Sequence, residues 1–362
     1  MKIKKIERGL HTIELYAKNL KYSQVQKVID RQSSKGKIYT HDKNPNGIDH
    51  YVEFQCGVTK VIVHQSHDKS NGVGFIFSPS SFLEGEDIPA ALYEPDKSSC
   101  KEILDSMKLL MREIGLETNR HKLVVDPKQL SLSQMDLTMN IWFDKETDLT
   151  EIIRLFRKGN IPPGFKRHSC GRKGEKDADH YCFVMKSKSI TFKVYDKIHE
   201  LKQTGRCPFD LWNQNILRIE VSLKRKEFLR KLGLKKDDSL YKMLQTGYDS
   251  LESVLVDYIQ KIFPCSGKHV RFRDAKKAVQ AADLRPIHKE QMLFLLHKTS
   301  KGKGLDTALQ KLKKKYKIKD KRTVDKLLAK FDELGINPIT LRNSSSYREL
   351  PSPLSMVQED LS

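Results

Sequence analysis

No window of the 362-residue chain approaches the roughly 18–20 consecutive apolar residues that would span a bilayer, so no membrane is expected among its partners. The opening run M-K-I-K-K-I-E-R-G-L lacks the roughly 7–15-residue apolar core of a secretory signal, and the expected location is the cytoplasm. Cysteine is scarce: Cys56, Cys100, Cys170, Cys182, Cys207 and Cys265 include no C-x-x-C pair, and in a reducing compartment all six read as free thiols. His168-x-Cys170 and His180-x-Cys182 bring nitrogen and sulfur donors beside a Gly/Lys-rich loop, but their spacing does not match the common zinc patterns. No internal repeat of 20 to 50 residues is found. Acid is the other shortage. Against 67 Lys and Arg stand 46 Asp and Glu, a net charge of +21. That imbalance favours a polyanionic partner, because each phosphate neutralised by Lys or Arg releases a counterion. DNA is the expected partner.

The length suits two units at roughly 100–200 residues per domain. Residues 1–235 mix strand and helix signals. Leu10 to Ala17 alternates as a strand, and Ser23 is placed to cap a helix over Gln24 to Asp30. Tyr51 to Val63 reads as a hairpin about Gly57, Gly72 to Phe77 as a strand, and Ser98 or Ser99 as the cap of a helix striped by Ile103, Met107, Leu110 and Ile114. A helix is expected from Asp148 or Thr150 to Lys158, then a basic loop over Pro162 to Asp179 and a hairpin from Tyr181 into Ser189–Glu200. From Asp237 the pattern becomes helical: one stripe over Asp238 to Phe263, then helices near Pro286–His297, Leu305–Tyr316 and Thr323–Leu334. The expected fold is α+β, an antiparallel or mixed sheet with helices packed on one face, followed by a helical C-terminal region over 236–342. The Ser/Pro-rich residues 343–362 are expected to be disordered.

Three strands share one design, with apolar residues on one side and chemistry on the other. Ser131 to Phe143 sets Met135, Leu137, Met139 and Ile141 against Gln134, Asp136, Thr138 and Asn140. Ser189 to Glu200 sets Ile190, Phe192 and Val194 against Thr191, Lys193, Tyr195 and Lys197. Ile216 to Lys224 sets Leu217, Ile219, Val221 and Leu223 against Arg218, Glu220, Ser222 and Lys224. Gathered in one sheet, the polar faces would supply a phenol, two carboxylates and several cations. A free tyrosine titrates near pH 10, so Tyr195 needs help to attack a phosphodiester; Lys193 and Lys197 are expected to favour its ionised form. Asp136 and Glu220 are hard oxygen donors suited to Mg²⁺ or Mn²⁺, which would polarise the phosphate and hold the leaving 3′ oxygen. Arg218 and Lys224 are expected to contact DNA. Between Lys301 and Arg322 ten Lys or Arg face two Asp, and this run, with Lys311, Lys313, Lys314 and Lys315 at its centre, reads as a phosphate-contacting surface. His64-Gln-Ser-His67 is one residue too long for the His-x-His metal motif of many nicking enzymes, and reads as a loop pair.

At these same stretches the sequence resembles the filamentous-phage gene II/X-type replication proteins and their plasmid relatives, the rolling-circle replication initiators. Four segments carry the likeness in order: Phe75–Asp87; Leu132-Ser-Gln-Met-Asp136-Leu-Thr; Phe192-Lys-Val-Tyr195-Asp-Lys197; and Leu217-Arg-Ile-Glu220-Val-Ser-Leu with the basic run that follows to Leu234. Gln134 stands where the family usually has Arg. The resemblance covers roughly residues 10 to 235. It implies site-specific nicking of one strand at a replication origin, with Tyr195 as nucleophile, a 5′-phosphotyrosine link, a free 3′ hydroxyl as primer, and later rejoining. It also implies single- and double-stranded origin DNA, a host helicase and a single-strand-binding protein as partners. Two other readings compete: a relaxase or transposase-type nickase of another mobile element, and a non-catalytic DNA-binding replication or regulatory protein with the sheet as a strand platform.

Overall fold

The computed structural model describes residues 1–34, 39–42, 49–66, 71–118, 120–170, 180–302 and 304–358. The chain runs β1 (Ile3–Leu20), α1 (Tyr22–Ser33), β2 (Tyr39–Asp42), β3 (Asp49–Cys56), β4 (Thr59–Ser66), β5 (Asn71–Phe77), α2 (Pro79–Glu84) and α3 (Lys97–Glu113). It continues through β6 (Ser131–Phe143), α4 (Leu149–Lys158), β7 (Lys166–His168), β8 (Cys182–Lys186), β9 (Ile190–Asp196), α5 (Lys197–Gln203), β10 (Ile216–Lys224) and α6 (Arg225–Lys231). The rest is α7 (Leu240–Asp249), α8 (Leu251–Ile262), β11 (His269–Val270), α9 (Phe272–Ala281), α10 (Pro286–Ser300), α11 (Leu305–Tyr316), α12 (Lys321–Glu333), β12 (Glu349–Leu350) and α13 (Pro353–Val357). The α+β class expected from the sequence is what forms.

The chain divides into two compact units that interleave along the sequence instead of parting at residue 235. One comprises Met1–Ile6, Asn140–Glu220 and Glu252–Ser362; the other comprises Glu7–Met139 and Val221–Leu251. In the second of these, strand neighbours run β2-β3-β4-β5-β1-β6-β10, with antiparallel pairing from β2 through β5 to β1. The β3–β4 hairpin turns at Gly57, whose φ of +54° suits a residue without a Cβ. Ile13, Leu15, Val61, Val63, Val73 and Phe75 are buried, as are Val25 and Val28 of α1, which packs on β4 and β5. That alternation is the period-2 signal of a sheet with one covered face. The cap of α3 is Asp96 and not Ser98 or Ser99: its carboxylate accepts from the amides of both serines, at 2.7 and 3.0 Å.

In the first unit the neighbours run β6-β10-β9-β8-β7, and β7–β8–β9 pair antiparallel. An aromatic core lies beside them: Phe156 of α4 meets Phe183, Phe192 and Phe263 at ring separations of 5.0 to 6.2 Å. Burying rings of this size is the largest source of apolar stabilisation available to a sheet-on-helix layer. The C-terminal helices build a separate cluster from Met292, Leu295, Leu296, Ala308, Leu312, Val324, Leu327, Leu328 and Phe331.

Three expectations are corrected. The single helix over Asp238–Phe263 is two, α7 and α8: α7 ends at its cap Ser250, whose amide donates to the Thr246 carbonyl, and α8 begins at Leu251. Residues 343–358, expected to be disordered, are structured: β12 pairs with β11, and Leu350, Met356 and Val357 are buried. Cys170 and Cys182, read as free thiols, form a disulfide with Cα atoms 5.9 Å apart, because His168 pairs with Val184 across β7 and β8 and brings the two segments together. His67 and residues 171–179 of the basic loop lie outside the described residues.

Candidate active site

β9 delivers Tyr195 where the alternation places it, with Phe192 and Val194 buried on the opposite face. The tyrosine is half-buried, and its Oη–H donates to Glu220 Oε1 at 2.8 Å. Glu220 is 2% exposed on the neighbouring β10. Lys193 Nζ reaches its other oxygen at 3.3 Å, and Arg218 Nη1 lies 3.9 Å from Oε1. Arg218 is wholly buried and donates through Nε to Asn140 Oδ1 at 2.7 Å. An arginine was expected to touch DNA here; instead its guanidinium spans β10 and β6 inside the fold, where it offsets the buried carboxylate.

Lys197 also departs from expectation. Alternation continues it along the strand beside Tyr195, but β9 ends at Asp196, whose side chain accepts from the His199 amide at 2.9 Å and caps α5. Lys197 is therefore the first residue of a helix. It is 2% exposed and paired with Glu200 Oε2 at 2.7 Å. Burial, followed by the nearby Arg218, lowers its ammonium to about 8. Glu200 in turn accepts from Arg206 Nη2 at 3.2 Å.

These cations do not stabilise a resting tyrosinate, as the sequence led one to expect. Desolvation and the adjacent Glu220 carboxylate hold the Tyr195 hydroxyl well above its ordinary range, and the opposing effect of Arg218 is smaller. At neutral pH the residue is a phenol with an acceptor already aligned on its proton. The polar faces of these strands are not an open surface either: Thr138, Asn140 and Arg218 are 0% exposed. What alternation presents as a solvated face is an internal polar network, and such a network is stable only when its members pair with one another.

Of the two carboxylates expected to hold a divalent cation, Glu220 sits in this cluster; Asp136, counted with the second unit, is buried and accepts from Gln134 Nε2 at 3.2 Å. Lys193 and Arg218 stand beside Glu220, so a cation held there would compete with them for its oxygens. Among the described residues no group of three or more His, Cys, Asp or Glu is gathered for a metal. Tyr181 stacks on His199 with centroids 3.6 Å apart. Lys224 is exposed on the second unit. Lys311 and Lys314 are exposed on α11 and Lys313 is half-buried, while Lys315 is engaged by Glu290 at 3.2 Å and by the Tyr316 hydroxyl at 2.9 Å. The residues sequence reasoning missed are Asn140 and Glu200 as partners of the cationic side chains. Asn140 was visible on the polar face of its strand, but with no stated role.

No protein-family model matches the chain, and no curated protein matches it. Among solved structures, a rolling-circle replication initiator protein from Geobacillus stearothermophilus is similar over 71% of this chain and 86% of that one, at 10% identity and a TM-score of 0.32.

Proposed function

We propose that this chain is a rolling-circle replication initiator that nicks one DNA strand by tyrosine transesterification, in the manner of the phage and plasmid proteins its motifs resemble. The observation that carries the reading is the 2.8 Å hydrogen bond from the Tyr195 hydroxyl to Glu220, with cationic side chains on either side. A nucleophile aligned on a base beside cations is the arrangement phosphoryl transfer requires.

The step balances as follows. Tyr195 Oη attacks phosphorus as its proton passes to Glu220 Oε1; the new bond is Oη–P and the broken one is P–O3′. The departing 3′ oxygen takes a proton from Lys197, whose lowered ammonium suits it as a donor near neutral pH. The products are a 5′-phosphotyrosine and a 3′ hydroxyl able to prime synthesis. Lys193, about one third exposed, is the cation best placed to meet the non-bridging oxygens. Arg218 acts from within as a positioning residue, holding Glu220 through charge while Asn140 holds it. The basic segment of α11 and α12 is the proposed duplex-phosphate surface, with Lys311 and Lys314 outermost.

The test is incubation of the full chain with supercoiled DNA bearing a candidate origin, followed by denaturation. Open circles or protein joined to a 5′ end are expected, and Tyr195→Phe abolishes both. A Tyr195→Phe protein that still nicks removes Tyr195 from this role, with Tyr181 next in line. The second reading, a DNA-binding protein without catalysis, is favoured by one feature, the raised hydroxyl of Tyr195; binding without cutting by the wild type would establish it.

A further inference from the structure

The connection from α5 to β10 carries two aromatic side chains that the proposed chemistry leaves unused. Phe209 is 95% exposed and Trp212 is 50% exposed. Single exposed apolar residues are ordinary, but these two stand three apart on a 3₁₀ turn, Phe209–Leu211 with Trp212 as its cap. Residues at i and i+3 of such a turn eclipse, so both rings project from the same side.

The loop is held rather than loose. Gly205, at φ +67°, turns the chain out of α5, and the Arg206 amide returns to Leu201 O at 2.9 Å. Trp212 N donates to Phe209 O at 3.2 Å and Gln214 N to Leu211 O at 2.9 Å. Asn215 closes the segment by donating to the carbonyls of Asp144 and Thr147 at 2.9 and 2.8 Å. This frame holds Phe209 in water and Trp212 half exposed, where burial of a large apolar side chain would be worth about 1.5–3 kcal/mol.

Cations accompany the rings. Lys202 Nζ stands 4.7 Å from the centroid of Trp212, and Arg206, exposed, lies three residues before Phe209 in the chain. Arg206 is also the outer member of the chain of ion pairs Lys197–Glu200–Arg206, so the loop begins next to the candidate site within one unit. Rings with neighbouring ammonium and guanidinium groups suit a ligand made of flat π-faces joined by phosphates. Asp210 is the one exposed acid between them.

We infer that Phe209 and Trp212 form a stacking platform for unpaired DNA bases, which grips the strand beside the candidate site. The inference rests on the nucleic-acid reading above, but not on Tyr195 being the nucleophile. It gives the single strand a sequence-tolerant hold, since every base has a face to stack, whereas a paired base has both faces occupied.

The test is fluorescence anisotropy of the full chain with a fluorescein-labelled 20-nucleotide single strand of mixed sequence that contains no candidate origin, and with the same sequence as a duplex. Phe209→Ala and Trp212→Ala are each expected to weaken single-strand binding about tenfold, with duplex affinity changing far less and the melting temperature unchanged, and Phe209→Trp retains affinity. In a Trp142→Phe protein, the emission of Trp212 is expected to be quenched by the single strand. Wild-type affinity in both alanine variants with no quenching overturns the platform. So does an equal loss for duplex, or unaltered DNA binding with altered sedimentation, which would make the loop a protein contact. Failure of the Tyr195→Phe nicking test with quenching intact would remove the nucleophile and leave the platform, whereas absence of any DNA binding would remove both.

Discussion

Lys197→Met should separate function from stability, because the proposed role of Lys197 carries a cost to the fold. The ammonium is 2% exposed and is lowered from 10.5 to about 8, with burial the largest cause. At 1.36 kcal/mol per pKa unit, a shift of that size corresponds to about 3 kcal/mol of penalty for holding the charged form inside the protein. The opposing pull of Glu200, whose side chain is 33% exposed, is already contained in that net lowering. Methionine matches the length of the lysine stem and brings no charge. The variant is therefore expected to be more stable than the wild type by about 3 kcal/mol near pH 7, while the proposed nicking falls steeply. The pH dependence follows from proton binding. An unfolded lysine keeps its proton up to about 10.5 and the folded one releases it near 8, so in that window the unfolded chain binds more protons and the wild type gains stability as pH rises. The advantage of the variant is thus full at pH 7 and gone by about pH 10.5. Urea unfolding of both proteins at about pH 7 and about pH 10 measures it. A variant less stable than wild type at pH 7, or a difference that does not change with pH, refutes the reasoning.

Two further outcomes follow from buried and bonded groups. His269 is wholly buried, with Nδ1 on the Ile339 carbonyl at 2.7 Å and Lys158 close by, and burial lowers it from 6.5 to about 4. A neutral imidazole folded and a charged one unfolded make stability fall as pH drops from 6.5 to 4, by about 3 kcal/mol from this group, and His269→Gln should flatten that part of the acid unfolding curve. Titration of the denatured, unreduced chain with a thiol reagent should count four free cysteines, Cys56, Cys100, Cys207 and Cys265, and six after reduction; six without reductant would exclude the Cys170–Cys182 bond.

Strand positions were legible because their apolar residues recur at every second position, although burial itself covers both faces of β6 and β10. Ser131–Phe143 and Ile216–Lys224 form over the residues alternation marked, and Leu305–Tyr316 does so for helix periodicity. Elements without a strong apolar stripe escaped. α9, Phe272–Ala281, buries only Ala275 and Val279, too little apolar surface to stand out from a basic run. The structured tail escaped for a related reason: its order comes from partners distant in sequence. Arg271 donates to the Tyr347 and Ser345 carbonyls at 2.9 and 2.7 Å, contacts that composition cannot reveal.

The site was half legible, and the missing half changes its chemistry. Alternation correctly set Tyr195 and Lys193 on the face opposite Phe192 and Val194, and Glu220 on the corresponding face of its own strand. It could not say that this face is interior. A polar residue at every second position satisfies a solvated sheet face and a buried hydrogen-bonded network equally, and the two differ in electrostatic consequence. On a wet surface, two lysines would draw a tyrosine toward ionisation and its neighbours would be screened. Inside, the same residues meet desolvation first: Lys197 moves toward neutrality, Arg218 is committed to Asn140 and Glu220, and Tyr195 keeps its proton. Were Tyr195 the nucleophile, as proposed, it would not be activated in advance: its proton would leave only when a phosphate brought negative charge toward Lys193 with Glu220 free to accept. On the proposed nicking reading, a phenol that stays neutral until DNA is in place would be kept from attacking any other electrophile.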